Sequence, residues 1–125
     1  MVNSEKIRLV IIDDNDWVRF SLRIGLESSG IICVGEANNS IEAIKLCEEL
    51  HPDAVLLDMY LVRENGWENI PKILDVSPDT KIIAMSAFAG EHMIENALEN
   101  GAVSFISKGD SLTEMINTII GHLTH

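Results

Sequence analysis

The sequence predicts an α/β fold: a single parallel sheet, doubly wound by helices, built from five successive strand–helix units. Three observations carry that expectation. Short β-branched runs alternate with segments of helical period along the whole chain. Several of the runs are apolar throughout, as strands covered on both faces must be. The chain has 125 residues, 46% hydrophobic and 23% charged, which suits one domain, residues 1–125, with a core of its own.

The strand candidates are Ile7–Ile12, Ile32–Glu36, Ala54–Leu57, Lys81–Met85 and Val103–Ile106. The first helix is expected from Asp16, as cap, to Ser29. It carries Val18, Leu22, Gly25 and Leu26 on one face and stops at Gly30. An Asn39…Glu42 capping box opens the second, whose apolar face is Ala43, Leu46, Cys47 and Leu50 and which ends before Pro52. The third begins after Asn65-Gly66 and contains Pro71, which must fall in the first turn or kink the helix. The fourth sets Met93, Ile94, Ala97 and Leu98 on one face and closes at Asn100-Gly101. The fifth starts with a Ser111…Glu114 box and repeats Leu112, Met115, Ile116, Ile119, Ile120 and Leu123 at helical spacing.

Composition excludes several classes of function. A net charge of −11, with only nine Lys and Arg, opposes nucleic-acid binding by this domain, because a phosphate backbone repels acid. Apolar runs of about six residues are too short to cross a bilayer, so no membrane partner is expected. No signal core follows the amino terminus, and the chain reads as cytoplasmic. Cys33 and Cys47 lack metal-ligand spacing and read as buried free thiols. His51, His92, His122 and His125 are not spaced as ligands and belong on the surface; Trp17 and Trp67 read as packing residues. No Gly-x-Gly-x-x-Gly follows a strand, which argues against a dinucleotide site.

Open parallel sheets bind ligands beyond the carboxyl ends of their strands. Here those ends carry Asp13-Asp14, Asp58, Ser86 and Ser107-Lys108. Two carboxylates about 4 Å apart repel by roughly 4 kcal/mol at an effective dielectric near 20. A hard divalent cation relieves that repulsion, and Mg²⁺ suits few carboxylates, a carbonyl and retained waters. Lys108 could grip a phosphoryl oxygen and Ser86 donate to another. These are the parts of phosphoryl transfer to an aspartate. Asn15, next to the acid pair, is a weaker candidate for metal contact.

In order along the chain, Asp13-Asp14, Asp58, Gly66, Ser86-Ala87 and Gly101-Ala102-Val103-Ser104-Phe105-Ile106-Ser107-Lys108 resemble the signature of response-regulator receiver domains of two-component systems. The likeness covers essentially the whole chain. It implies a flavodoxin-like sheet of strand order 2-1-3-4-5. It further implies Asp58 as phosphoacceptor and Mg²⁺ held by Asp14, Asp58 and the Tyr60 carbonyl, with Asp13 acting through water. Lys108 would pair with the phosphoryl group, Ser86 would be the switch hydroxyl and Phe105 the switch aromatic. Tyr60, Ala87 and Phe88 would rim the mouth and govern access of water. The implied donor is a sensor histidine kinase or a phosphotransfer protein, with homodimerisation on activation. Such a domain is no enzyme beyond catalysing its own phosphorylation and dephosphorylation.

The sequence departs from the family in three places. Phe105 lacks the hydroxyl of the common Tyr, Val62 replaces a frequent Pro, and Gly109 follows the lysine where Pro is usual. The last puts the family's cis peptide in doubt and is similar to receivers of the NarL/LuxR type, which precede a DNA-binding domain; two outputs stay open, transcription through such a domain outside this chain, which that likeness favours, and that of a stand-alone regulator. Two rival functions stand beside this reading. One is an interaction module on the same fold that is never phosphorylated. The other is a hydrolase with an aspartyl nucleophile, for which Asp58-Met59-Tyr60 lacks the second acid of an Asp-x-Asp motif. Taken singly, Asp13-Asp14 or Asp58 could be turn residues and Phe105 plain core.

Overall fold

The computed structural model describes residues 6–61, 66–87 and 90–123. Five strands, β1 (Arg8–Ile12), β2 (Ile32–Ala37), β3 (Ala54–Asp58), β4 (Lys81–Ser86) and β5 (Ser104–Ser107), alternate with five helices. These are α1 (Asp16–Ser28), α2 (Ser40–Leu50), α3 (Gly66–Val76), α4 (Glu91–Glu99) and α5 (Leu112–Leu123). The sheet has the order β2-β1-β3-β4-β5, and every neighbouring pair is parallel. The strand order thus reverses at β1, which places a crevice beyond the carboxyl ends of β1 and β3.

Alternation along the strands sends side chains to two separate cores. Val10, Ile12, Val55, Leu57, Ile82 and Ala84 pack beneath α2, α3 and α4, against Ala43, Cys47, Ile70, Ile73, Met93 and Ala97. Leu9, Ile11, Leu56, Ile83, Met85 and Ile106 pack beneath α1 and α5, against Leu22, Leu26, Met115, Ile116 and Ile119. Each fully buried Leu or Ile contributes about 1.5–3 kcal/mol from leaving water. The helices α1 and α5 approach so closely that a Cβ at Gly25 would overlap Ile116 Cδ1.

Helix ends follow local chemistry. Asn39 Oδ1 accepts from the Glu42 amide at 2.9 Å, and Ser111 Oγ accepts from the Glu114 amide at 3.2 Å while donating to Glu114 Oε1 at 3.0 Å. At the other ends, Gly30 (φ +91°) and Gly101 (φ +116°) take the left-handed position. Their amides bond to Glu27 and Leu98 while those of Ile31 and Ala102 bond to Leu26 and Ala97, the two bonds of a Schellman stop.

Two expectations need correction, the cap of α1 and the packing of Trp17, and two placements add to the sequence reading. Asn15, not Asp16, caps α1: its extended backbone lets Oδ1 accept from the amides of Trp17 and Val18 at 2.9 and 3.1 Å. Pro71 lies past the first turn, the sixth residue of α3, on an exposed position. Trp17 is 71% exposed and stacks on Phe20, with ring centroids 5.7 Å apart; Trp67 does pack on the core. Finally, β2 is an outer strand and is not covered on both faces: Ile32 is 40% exposed. One irregularity marks its pairing with β1, where Leu9 faces Cys33 but Val10 faces Gly35, so that Val34 is an extra residue. His51, His92 and His122 are exposed, and His125 lies outside the described residues.

Candidate functional site

Four strand ends build one mouth. Because β3 pairs with β4 as Asp58 to Met85, and β4 with β5 as Ser86 to Ser107, the sheet register alone brings Asp58, Ser86 and Lys108 to the same rim. The Lys108 amide donates to the Ser86 carbonyl at 2.9 Å. On the other side, the Asp13 amide donates to the Ala37 carbonyl at 3.0 Å, pinning the β1–α1 turn to the end of β2. The resulting cleft, about 330 Å³, is lined by Asp14, Asn15, Asp58, Tyr60, Ala87 and Lys108.

The acids converge. Asp13, Asp14 and Asp58 each offer a carboxylate oxygen, all within 4.8 Å of one another. Asp13 and Asp58 are buried, at 0% and 3% exposure, and Asp14 is half-buried. Lys108 Nζ bridges them, 2.5 Å from Asp13 Oδ2 and 3.0 Å from Asp58 Oδ2. Backbone amides hold the remaining oxygens: Asn15 N–H donates to Asp13 Oδ1 at 2.8 Å and Tyr60 N–H to Asp58 Oδ1 at 3.0 Å. Each carboxylate is thereby oriented by the residue two positions on, leaving its Oδ2 aimed at the lysine.

The charges are tuned by this crowding. Burial pushes the Asp58 carboxyl up from its ordinary range; Asp13 adds to the rise, while the Tyr60 amide and Lys108 oppose it. Burial works against the charge of Lys108, but the carboxylates of Asp13 and Asp58 outweigh it and hold the ammonium above the ordinary lysine value. Asp13 Oδ2 is buried and makes no aligned hydrogen bond among the described residues; its close ion pair with Lys108 is its compensation. A buried oxygen left so, beside two further carboxylates, is a donor set suited to a hard divalent cation.

Of the other expected site residues, Ser86 is fully buried at the end of β4, and Phe105 is half-buried against the core under α4. Tyr60 is 51% exposed at the rim; Ala87 beside it is exposed. Phe88 and Val62 lie outside the described residues. Asn15 lines the cleft but spends its amide oxygen on the α1 cap. No cis peptide occurs among the described residues, so Lys108–Gly109 is trans. The thiols are free, and burial raises both to about 11, which leaves them protonated and poorly nucleophilic at neutral pH.

One contributor was missed by sequence reasoning. Arg19 reaches back from α1 to the Asp13 carbonyl and to Asp16, and its Nε lies 3.1 Å from Glu36 Oε1 on β2. A short-range signal existed, since arginine one turn into a helix can return to its acidic start, but Glu36 is reached only through the β1–β2 pairing.

Comparison with known proteins identifies the family of the fold. The family model for the response regulator receiver domain matches residues 9–120. Response regulator GacA of Pseudomonas viridiflava is 33% identical over 114 residues, which are 90% of this chain and 53% of that protein. Chemotaxis protein CheY of Thermotoga maritima is 36% identical over 101 residues, 81% of this chain and 84% of that protein. The receiver domain of the response regulator NarL from Mycobacterium tuberculosis superposes with a TM-score of 0.87 at 26% identity, covering 96% of this chain and 98% of that one. The chain spans about half the length of the GacA-type relatives it matches. With the expected strand order, the acid cluster and the lysine at the end of β5 all in place, the chain belongs to the response-regulator receiver family of two-component signalling proteins.

Proposed function

We propose that this chain is a phosphorylation switch whose acceptor is Asp58. The observation that carries the reading is the Lys108 ammonium set between the buried carboxylates of Asp13 and Asp58 at 2.5 and 3.0 Å. A cation placed there can follow the phosphoryl group onto Asp58. The donor is the phosphohistidine of a sensor kinase or phosphotransfer protein. An Asp58 oxygen attacks phosphorus, the N–P bond breaks as the O–P bond forms, and the histidine ring leaves. Lys108 then pairs with a phosphoryl oxygen, and Ser86 moves to donate to another. Asp14, Asp58 and the Tyr60 carbonyl would hold Mg²⁺, with Asp13 behind a water. The metal supplies charge neutralisation at the transferring group.

The acyl phosphate reorganises the end of β4 and lets Phe105 turn inward, which changes the face built from α4, β5 and α5 for a partner or a second copy. The domain works in the cytoplasm. The output we propose is transcription, through a DNA-binding domain outside this chain; the GacA-type relatives are about twice as long as the stretch that matches. Tyr60 and Ala87, which line the cleft, set together with Phe88, outside the described residues, how readily water reaches the acyl phosphate.

Intact mass should rise by one phosphoryl group with acetyl phosphate and Mg²⁺, and Asp58→Asn should abolish the rise. An equal rise in the variant removes Asp58 as acceptor; no rise in the wild type favours an interaction module that is never phosphorylated. Millimolar Mg²⁺ should raise the melting temperature, by about 2.7 kcal/mol of stabilisation at one hundred times the dissociation constant. Asp14→Ala should cancel most of that response, and a melting curve indifferent to Mg²⁺ in the wild type counts against the metal set.

A further inference from the structure

We infer that Arg19 is a positioning residue for the cation site, acting through the peptide that joins Asp13 to Asp14; this rests on the reading of the mouth as a Mg²⁺ site. The guanidinium sits under the β1–α1 turn with its side chain 13% exposed. One arm, Nη1, donates to the Asp13 carbonyl oxygen and a second, Nη2, to Asp16. The third, Nε, is fixed by Glu36 at 3.1 Å, and Glu36 is also flanked by Arg23 at 3.5 Å. The planar fork of an arginine can satisfy these three acceptors together; a lysine cannot.

The carbonyl that Arg19 holds belongs to the Asp13–Asp14 peptide. Rotation of that peptide plane would swing the Asp14 carboxylate away from Asp13 and Asp58, which it approaches within 4.8 Å. The other hydrogen bonds given for the turn among the described residues are the Asp13 amide on Ala37, the Asn15 amide on Asp13 Oδ1 and the Asn15 cap on the Trp17 and Val18 amides; none of them engages the peptide that follows Asp13. Arg19 does, and it ties that peptide to β2 through Glu36. Groups that orient a metal's ligands commonly carry ten- to a hundredfold of metal affinity.

Charge alone predicts the opposite sign. Removing a cation close to a metal site relieves repulsion and should tighten Mg²⁺ binding, whereas loss of positioning weakens it. The test is Mg²⁺ titration of the whole chain by tryptophan emission, Trp17 lying in a groove that also contains Lys108. Arg19→Met should raise the dissociation constant about tenfold, and Arg19→Lys, which keeps the charge, should raise it severalfold. Unchanged or tighter binding in folded Arg19→Met overturns the inference. Should that variant fail to fold, wild-type affinity in Arg19→Lys overturns it equally. A wild type that does not respond to Mg²⁺ at all would fail the reading of the site instead.

Discussion

Lys108→Ala should destabilise the metal-free protein by about 3–5 kcal/mol at neutral pH, the usual cost of removing one partner from a buried ion pair. The lysine side chain is 17% exposed and serves two carboxylates that are almost wholly buried. Without it, Asp13 and Asp58 face each other uncompensated. The pH dependence has a definite sign. The folded-state pKa of Asp58 is already raised, so its contribution to stability is fully present below the unfolded carboxylate range and is lost as pH rises through the folded value. Loss of Lys108 raises that value further. The deficit of the variant should therefore be small in mild acid and grow toward neutrality. In the wild type the raised pKa of Lys108 gives stability present below the ordinary lysine range and lost only in strong alkali. Urea midpoints between pH 4.5 and 8, with chelator present, measure this; a deficit independent of pH would mean that the loss is one of packing. The same variant should still be phosphorylated on Asp58, yet amide exchange in α4 and α5 should barely respond, because the phosphoryl group has lost its tether to β5.

Gly101→Val should cost about 2–5 kcal/mol through two separate penalties. At φ +116° the backbone is in a region that a β-branched residue rarely adopts. A Cβ there would also stand 2.6 Å from Leu74 Cδ1 and 3.6 Å from Ile70 Cγ2. Leu74 can swing aside, but Ile70 is fully buried in the core under α3. The melting temperature should fall by about 10 °C or more for a domain of this size. Gly101→Ala should lose less, having the backbone penalty but a smaller side chain to place. A valine variant with an unchanged melting temperature would show that the α4–β5 turn re-forms with another geometry.

Much of this was legible because the strands obey a period of two and the helices a wider one. Leu9 and Ile11 go to one core, Val10 and Ile12 to the other, so a wholly apolar run already announces a strand covered twice. The strand ends likewise announced the mouth, since side chains at parallel carboxyl termini have few places to go. What remained hidden depends on geometry that no local pattern encodes. Asn15 and Asp16 both suit a helix cap, and the extended backbone of Asn15 decides between them. Trp17, Phe20 and Ile24 form an apolar row at helical spacing that faces solvent, because the row Val18, Leu22 and Leu26 one step away takes the core. Arg19 needed Glu36, which is distant in sequence and adjacent only once β1 and β2 pair.

The extra residue in β2 bears on how this protein behaves when crowded. An outermost strand offers a free row of amides and carbonyls, on which another extended chain can grow. Here Val34 breaks the even spacing of that row near its middle, and Glu36, held between Arg19 and Arg23, puts charge at its far end. The stretch open to a foreign strand is thus confined to the first residues around the exposed Ile32. Two or three residues of pairing cannot outweigh the entropy of joining two chains, so the irregularity disfavours growth of the sheet from its β2 edge.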